Sequence, residues 1–147
     1  MIKKSAIFLI ILVITHSLPA QDNKQLQNTF LEAEYFFMNE DYPDALNFYL
    51  QIYSERPDNA NIAFRIGVCY LNMTGKKDLS LKYLEAAVKN MSAKHKEGTL
   101  NQVSASYDAL YELARAYRIN YIFDKSKETF LDTGKHFSLT ILRILNL

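Results

Sequence analysis

The sequence predicts an all-α fold built from repeated helix pairs, and three observations carry that prediction. Gly and Pro are scarce, at 4 and 3 of 147 residues, where average usage of roughly 7% and 5% gives about ten and about seven. A sandwich or barrel needs a turn roughly every 8 to 12 residues, which so few turn-makers hardly supply. Apolar residues make up 49% and charged residues 22% of the chain, a balance that excludes disorder and supports one domain with a modest core. The third observation is self-similarity: small and large apolar residues recur with a period near 34, the spacing of helix-pair repeats.

The chain opens with a segment that reads as a secretory signal peptide over 1–20. Lys3 and Lys4 form its positive start, Ile7 to Ile14 are apolar without interruption, and Ala20 is the small residue before a cut ahead of Gln21. Pro19 breaks the helix before the cut, while Leu18 is larger than the usual side chain at its place and weakens the cut site. The apolar run falls short of the roughly 20 residues a membrane anchor needs. A lipoprotein would carry Cys where Gln21 stands. The expectation is an exported, mature chain without a membrane span.

Helices follow in order. The first two cover 24–39 and 43–55, with Asp41 as cap and Pro43 in the first turn of the second. The third starts after Pro57-Asp58-Asn59 and ends at Gly75, and the fourth covers 78–90. A polar stretch over 92–101, holding Lys94, His95, Lys96, Glu97 and Gly98, adds about a dozen residues to the period, as a loop or as extensions of the flanking helices. The last pair covers 103–120 and 124–133.

The period is set by close packing. Ala33-x-x-Phe36 recurs 34 residues later as Gly67-x-x-Tyr70 and another 47 later as Ala114-x-x-Tyr117. Ala45-Leu46-x-x-Tyr49 recurs as Ser80-Leu81-x-x-Leu84 and, more weakly, as Ser126-Lys127-x-x-Phe130. Two antiparallel helices approach closely only where a small side chain faces a large one, so Ala33 or Gly67 admits the partner helix while Tyr49 or Leu84 fills the space beside it. With Tyr42, Pro57 and Phe123, these residues resemble the tetratricopeptide repeat, a helix-turn-helix unit, here in about three copies over 21–136 that imply an α-solenoid. The third copy departs from the pattern at Lys127 and Thr133.

The resemblance implies binding of a protein partner along a concave face made by the first helix of each pair. By repeat position that face holds Phe30, Glu34, Phe37 and Met38, then Asn61, Phe64, Arg65, Val68 and Asn72, then Tyr111, Arg115 and Arg118. Aromatic and Arg side chains dominate interface hot spots. Phe30 and Phe64 read equally well as core. The Lys/Asn clamp of chaperone-binding relatives is not carried over, because Phe30 and Glu34 stand at two of its places.

A narrower resemblance rests on Leu113-Ala114-Arg115-Ala116-Tyr117-Arg118-Ile119-Asn120-Tyr121-Ile122-Phe123-Asp124-Lys125, with Gly75-Lys76-Lys77-Asp78 and Tyr83-Leu84-Glu85-Ala86-Ala87. These are similar to the N-terminal repeat region of OmpA-family envelope proteins of gliding-type Gram-negative bacteria. That implies a periplasmic module, beside the outer membrane, docking a component of an envelope or secretion assembly. Neither the propeller nor the peptidoglycan-binding domain of those proteins is present in this sequence, so peptidoglycan binding is not carried over.

Other functions find no support in the residues. Without Lys3 and Lys4, basic residues number 15 against 16 acidic, too even for nucleic-acid binding. His95 and His136 form no metal-pair spacing, and no phosphate loop or nucleophile elbow occurs. Glu32 and Glu34, or Glu40 and Asp41, point apart on a helix and make no acid–base pair. The lone Cys69 reads as core. The expectation is a non-enzymatic chain without cofactor or metal. The apolar end over 137–147 reads either as a short closing helix packing Phe137, Ile141, Ile144 and Leu145, or as the point where a longer protein continues. On the second view the chain is a structural spacer or self-associates through 137–147.

Overall fold

The computed structural model describes the backbone of residues 18–144 and the side chains of 23–138. The predicted signal peptide lies outside the described residues up to 17, as does the apolar tail from 145, with the side chains from 139 onward. Among the described residues the fold is all-helical. Its elements are α1 (Leu18–Met38), α2 (Tyr42–Glu55), α3 (Ala60–Asn72), a 3-10 turn (Lys77–Leu79) leading into α4 (Ser80–Ala87), α5 (Asp108–Ile119) and α6 (Phe123–Ile144). No described helix is long and apolar enough to cross a membrane.

Each helix packs on its chain neighbours, most densely within α1/α2, α3/α4 and α5/α6. Short connections force the partners of a pair antiparallel. The register is set by small residues: Ala33, Gly67 and Ala114 are buried on α1, α3 and α5, as are Ala45, Ser80 and Ser126 on α2, α4 and α6. At Gly67 the approach is so close that a Cβ would lie 2.5 Å from Leu84 Cγ and 3.3 Å from the Leu84 backbone nitrogen. Ser126 keeps the same role in the last pair while satisfying its hydroxyl, which donates to the Ala114 carbonyl at 2.9 Å.

Two of the helix ends turn alike. After α1, Glu40 takes φ 60°, with Asp41 N–H donating to the Phe36 carbonyl and Glu40 N–H to that of Phe37. After α5, Tyr121 takes φ 64°, with Ile122 N–H donating to Tyr117 and Tyr121 N–H to Arg118. Both are left-handed C-caps that satisfy the last carbonyls, whereas α3 ends at an extended Met73, whose N–H donates to the Tyr70 carbonyl, and Gly75, at φ 74°, turns the chain beyond it. Asp41 stands at the cap position of α2 but its side chain caps nothing. At α3 the cap is Asn59, whose Oδ1 accepts from Ile62 N–H at 3.1 Å.

Several boundaries differ from the sequence reading, among them the end of α3, at Asn72 rather than Gly75. α1 begins at Leu18, with Pro19 in the first turn, where its missing N–H costs nothing. α4 ends at Ala87 rather than near 90. α5 begins at Asp108 rather than 103, because Ala105 bonds outward: its N–H donates to the Asn90 carbonyl and its carbonyl accepts from Ser92 N–H, both at 2.9 Å. Residues 92–105 are therefore a closed loop with its ends tied together. α6 runs unbroken through Gly134 instead of stopping at Thr133, whose hydroxyl bonds back to the Thr129 carbonyl at 2.9 Å.

The core has three connected parts. The largest joins Leu26, Phe30 and Ala33 of α1 with Ala45, Tyr49 and Ile52 of α2, Ile62, Ile66 and Cys69 of α3, and one loop residue, Leu100. Burial pushes the Cys69 thiol up to about 12, which keeps it protonated and inert. Five alanines, Ala60, Ala63, Ala87, Ala105 and Ala109, make the second part, where the loop end meets α3, α4 and α5. Leu71, Leu84, Leu113, Ala116 and Tyr117 make the third.

Two substitutions of one kind are expected to act in opposite directions. Gly67→Ala overpacks against Leu84 and costs about 1–3 kcal/mol, whereas Gly134→Ala, in a helix with nothing within 4 Å of the added methyl, gains about 0.5–1 kcal/mol. Urea unfolding of the two variants checks this, and a Gly67→Ala chain as stable as the native one contradicts the close approach.

Candidate functional site

The face expected to bind is built where α1 meets α3. Phe30, Glu34, Phe37 and Met38 fall four, three and one residues apart, which aligns them along one side of a helix. Arg65 reaches across from the second turn of α3. Its Nε lies 3.2 Å from Glu34 Oε1, close enough for charge attraction though not aligned for a hydrogen bond, and its Nη2 donates to Oε2 at 3.3 Å. Both side chains are largely buried, at 12% and 13% exposure. The Tyr49 hydroxyl donates to Oε1 at 2.5 Å from the α2 side. The guanidinium lies 4.6 Å from the centre of the Phe37 ring, which stands edge-on to Tyr42 and Tyr49.

This cluster neutralises itself. Glu34 receives an Arg and a phenol, and Arg65 receives a carboxylate and an aromatic face. A buried charge pair persists only with such extra partners. Tyr49 is held far from ionisation, first by burial and then by the Glu34 charge. The cluster thus joins α1, α2 and α3 through one carboxylate. Among the described residues, no three His, Cys, Asp or Glu side chains gather to hold a metal.

The expected face is only partly open. Phe30 and Asn61 are buried, so they act as core and not as surface. Phe64 is half-buried between α3, α4 and α5. Glu34, Phe37, Met38 and Arg65 line one cleft of about 470 Å³ together with Glu40, Tyr42 and two loop residues, Glu97 and Gly98. Met38 is an exposed part of its wall. Asn72, Tyr111, Arg115 and Arg118 are not among that cleft's walls. Asn72 is exposed and donates to the Val68 carbonyl of its own helix. Tyr111 rests edge-on against Phe130 of α6, Arg115 is held by Glu112 at 2.6 Å, and Arg118 is exposed.

The stretch expected as a loop or as helix extensions is a loop, and its packing against the helices carried no expectation from the sequence. It lies against the expected face through Leu100, 2% exposed, and through the Val103 carbonyl, which accepts the Asn61 N–H at 3.1 Å. The available signal was that Leu100 is the one large apolar residue between 92 and 101. A second cleft, about 290 Å³, opens on the loop's other side, lined by Ser92, His95, Tyr107, His136 and Phe137 among others. His136 stacks on Tyr107 there, with ring centres 4.6 Å apart.

Comparison with protein-family models, with curated proteins and with solved structures finds no match for the chain.

Removing Glu34 strands the buried Arg65 and the Tyr49 hydroxyl together. Glu34→Ala is expected to cost about 3 kcal/mol and Glu34→Gln less, since an amide oxygen still accepts from Tyr49. Chemical unfolding tests the pair, and an alanine variant within about 0.5 kcal/mol of native stability, the range of an ordinary surface change, contradicts the cluster.

Alkali provides a separate test. Burial, then the hydrogen bond to Glu85 and its charge, push Tyr117 up to about 12. Tyr49 is raised as well. Groups raised by folding contribute stability that is complete below the unfolded tyrosine value of about 10. For Tyr117 that contribution is lost as pH rises from there through about 12. Phenolate absorbance should therefore show a late fraction of the 10 tyrosines ionising together with loss of helical circular dichroism. Complete ionisation with the helices intact would contradict both placements.

Proposed function

We propose that the chain is an exported, non-enzymatic adaptor whose helix pairs are tetratricopeptide-type repeats in a short solenoid, and that it binds a protein partner on the α1/α3 face with α5 alongside. One observation carries the reading: this face already accepts a stretch of polypeptide, residues 97–103, on a buried leucine and a main-chain hydrogen bond. An apolar side chain seated in a helix-lined groove is the anchor such surfaces use for a bound segment. Supporting it are the small residues buried at matching places in all three pairs and the self-neutralised Glu34–Arg65 cluster, which favours a shaped surface over catalysis. The leader and the likeness of its repeats to OmpA-family repeat regions support a partner in the periplasm, within an envelope or secretion assembly.

A second reading draws on α6. Leu131 and Phe137 stand exposed on this helix, an apolar surface suited to self-association or to a spacer in a longer envelope protein.

Pull-down from envelope extract separates the two. Phe37→Ala, Arg115→Ala and Arg118→Ala combined should reduce the captured partner at least tenfold while Leu131→Ser leaves it unchanged. Unchanged capture by the triple variant contradicts the face. Light scattering reads the alternative, which requires a dimer that Leu131→Ser and Phe137→Ser dissolve.

A further inference from the structure

The loop over 92–105 has the build of a detachable unit. Its ends are joined by two main-chain bonds between Ala105 and the pair Asn90 and Ser92. Inside, it holds itself: Gln102 donates to the Ser104 carbonyl at 2.9 Å and to its hydroxyl at 2.7 Å while accepting from Lys96 N–H at 3.2 Å. His95 Nδ1 lies 2.9 Å from the same Ser104 carbonyl. Such compact loops with neighbouring ends keep their form when they move.

Its grip on the helices is narrow by comparison. Between 94 and 103 only Leu100 is buried, whereas Lys94, Lys96, Glu97, Gly98, Asn101 and Val103 are exposed. One hydrogen bond, from Asn61 N–H to the Val103 carbonyl, ties this stretch to α3. The fit there is incomplete, because the buried Asn61 side chain leaves its Oδ1 without a donor. A buried acceptor left unpaired favours any occupant that supplies the missing donor.

We propose that this loop is a displaceable cover, a built-in stand-in for the partner on the α1/α3 face. The partner segment is a stretch of polypeptide that turns as residues 97–103 do, with Gln102 N–H bonded back to the Thr99 carbonyl. It carries one aliphatic side chain for the place of Leu100, a main-chain carbonyl for that of Val103, and an N–H that reaches Asn61 Oδ1. Binding then lowers to the fraction of molecules whose cover is open, so loosening the cover strengthens binding by the same factor. The inference rests on the binding role given to this face.

The test uses a labelled synthetic peptide with the sequence of residues 92–105, titrated against the native full chain and its Leu100→Ser variant. The variant should bind at least tenfold more tightly than the native chain, and a peptide with Ser in place of its leucine should bind neither. Equal or absent binding to both chains, with the variant's helical dichroism intact, overturns the cover. If the variant unfolds, hydrogen exchange of the native chain decides: the Asn61 and Ala105 amides should exchange at least a hundredfold faster than Ile66 in the core of α3, and a common rate overturns the proposal. Partner capture that survives the Phe37, Arg115 and Arg118 triple substitution defeats the face itself. A failed peptide titration defeats only the cover.

Discussion

Close approach of paired helices at small residues is the constraint on which the rest of this structure depends. Where Gly67 meets Leu84, there is no room even for a methyl group. A leucine buried at such a contact gains attraction from every neighbouring atom, and a gap or an extra carbon forfeits it. The contact thereby fixes both the spacing and the stagger of α3 and α4. Ala33 and Tyr49, both buried, occupy the corresponding places in the first pair, and in the last pair the buried Ala114 faces α6 through the hydrogen bond its carbonyl accepts from Ser126. Few glycines and prolines remain to loosen the connections, and left-handed backbone at Glu40, Gly75 and Tyr121 turns the chain after the first helix of each pair.

The stagger has a chemical consequence. It brings Glu34 and Arg65, 31 residues apart, together between α1 and α3 and aims the Tyr49 hydroxyl at the same carboxylate. In low-dielectric surroundings this polar cluster is satisfied from three helices, which specifies how α1, α2 and α3 meet more sharply than apolar contacts alone. The same alignment leaves an apolar hollow beside Phe30 and Ile66, and the inserted loop fills it with Leu100. An aliphatic side chain of the loop thereby joins the core formed by α1, α2 and α3.

Much of the helical frame was legible in the sequence, because the residues that set it act locally or periodically. Ala33, Gly67, Ala45 and Ser80 are recognisable from spacing, and Asn59 and Gly75 from the turns they favour. The caps at Glu40 and Tyr121 carried no mark, since left-handed backbone at an ordinary residue is imposed by the helix end and not chosen by the side chain. The start of α5 was misplaced because Val103 and Ala105 continue an apolar pattern, while their main-chain bonds go to Asn61, Asn90 and Ser92. Phe30 and Asn61 were expected on the surface but are buried, and for Asn61 the loop distant in sequence takes part, a contact about which periodicity holds no information. Gly134 read as a stop, yet one glycine costs a long helix only about 1 kcal/mol relative to alanine.

The central claim is that close helix pairing in this register creates the face and everything laid against it. A methyl-resolved nuclear Overhauser spectrum of the native chain tests it most directly. The account predicts strong cross-peaks between the Leu84 methyl groups and the Gly67 α-protons, a contact too short to arise in any other stagger of α3 and α4. Helices intact by chemical shift but without those cross-peaks would contradict it.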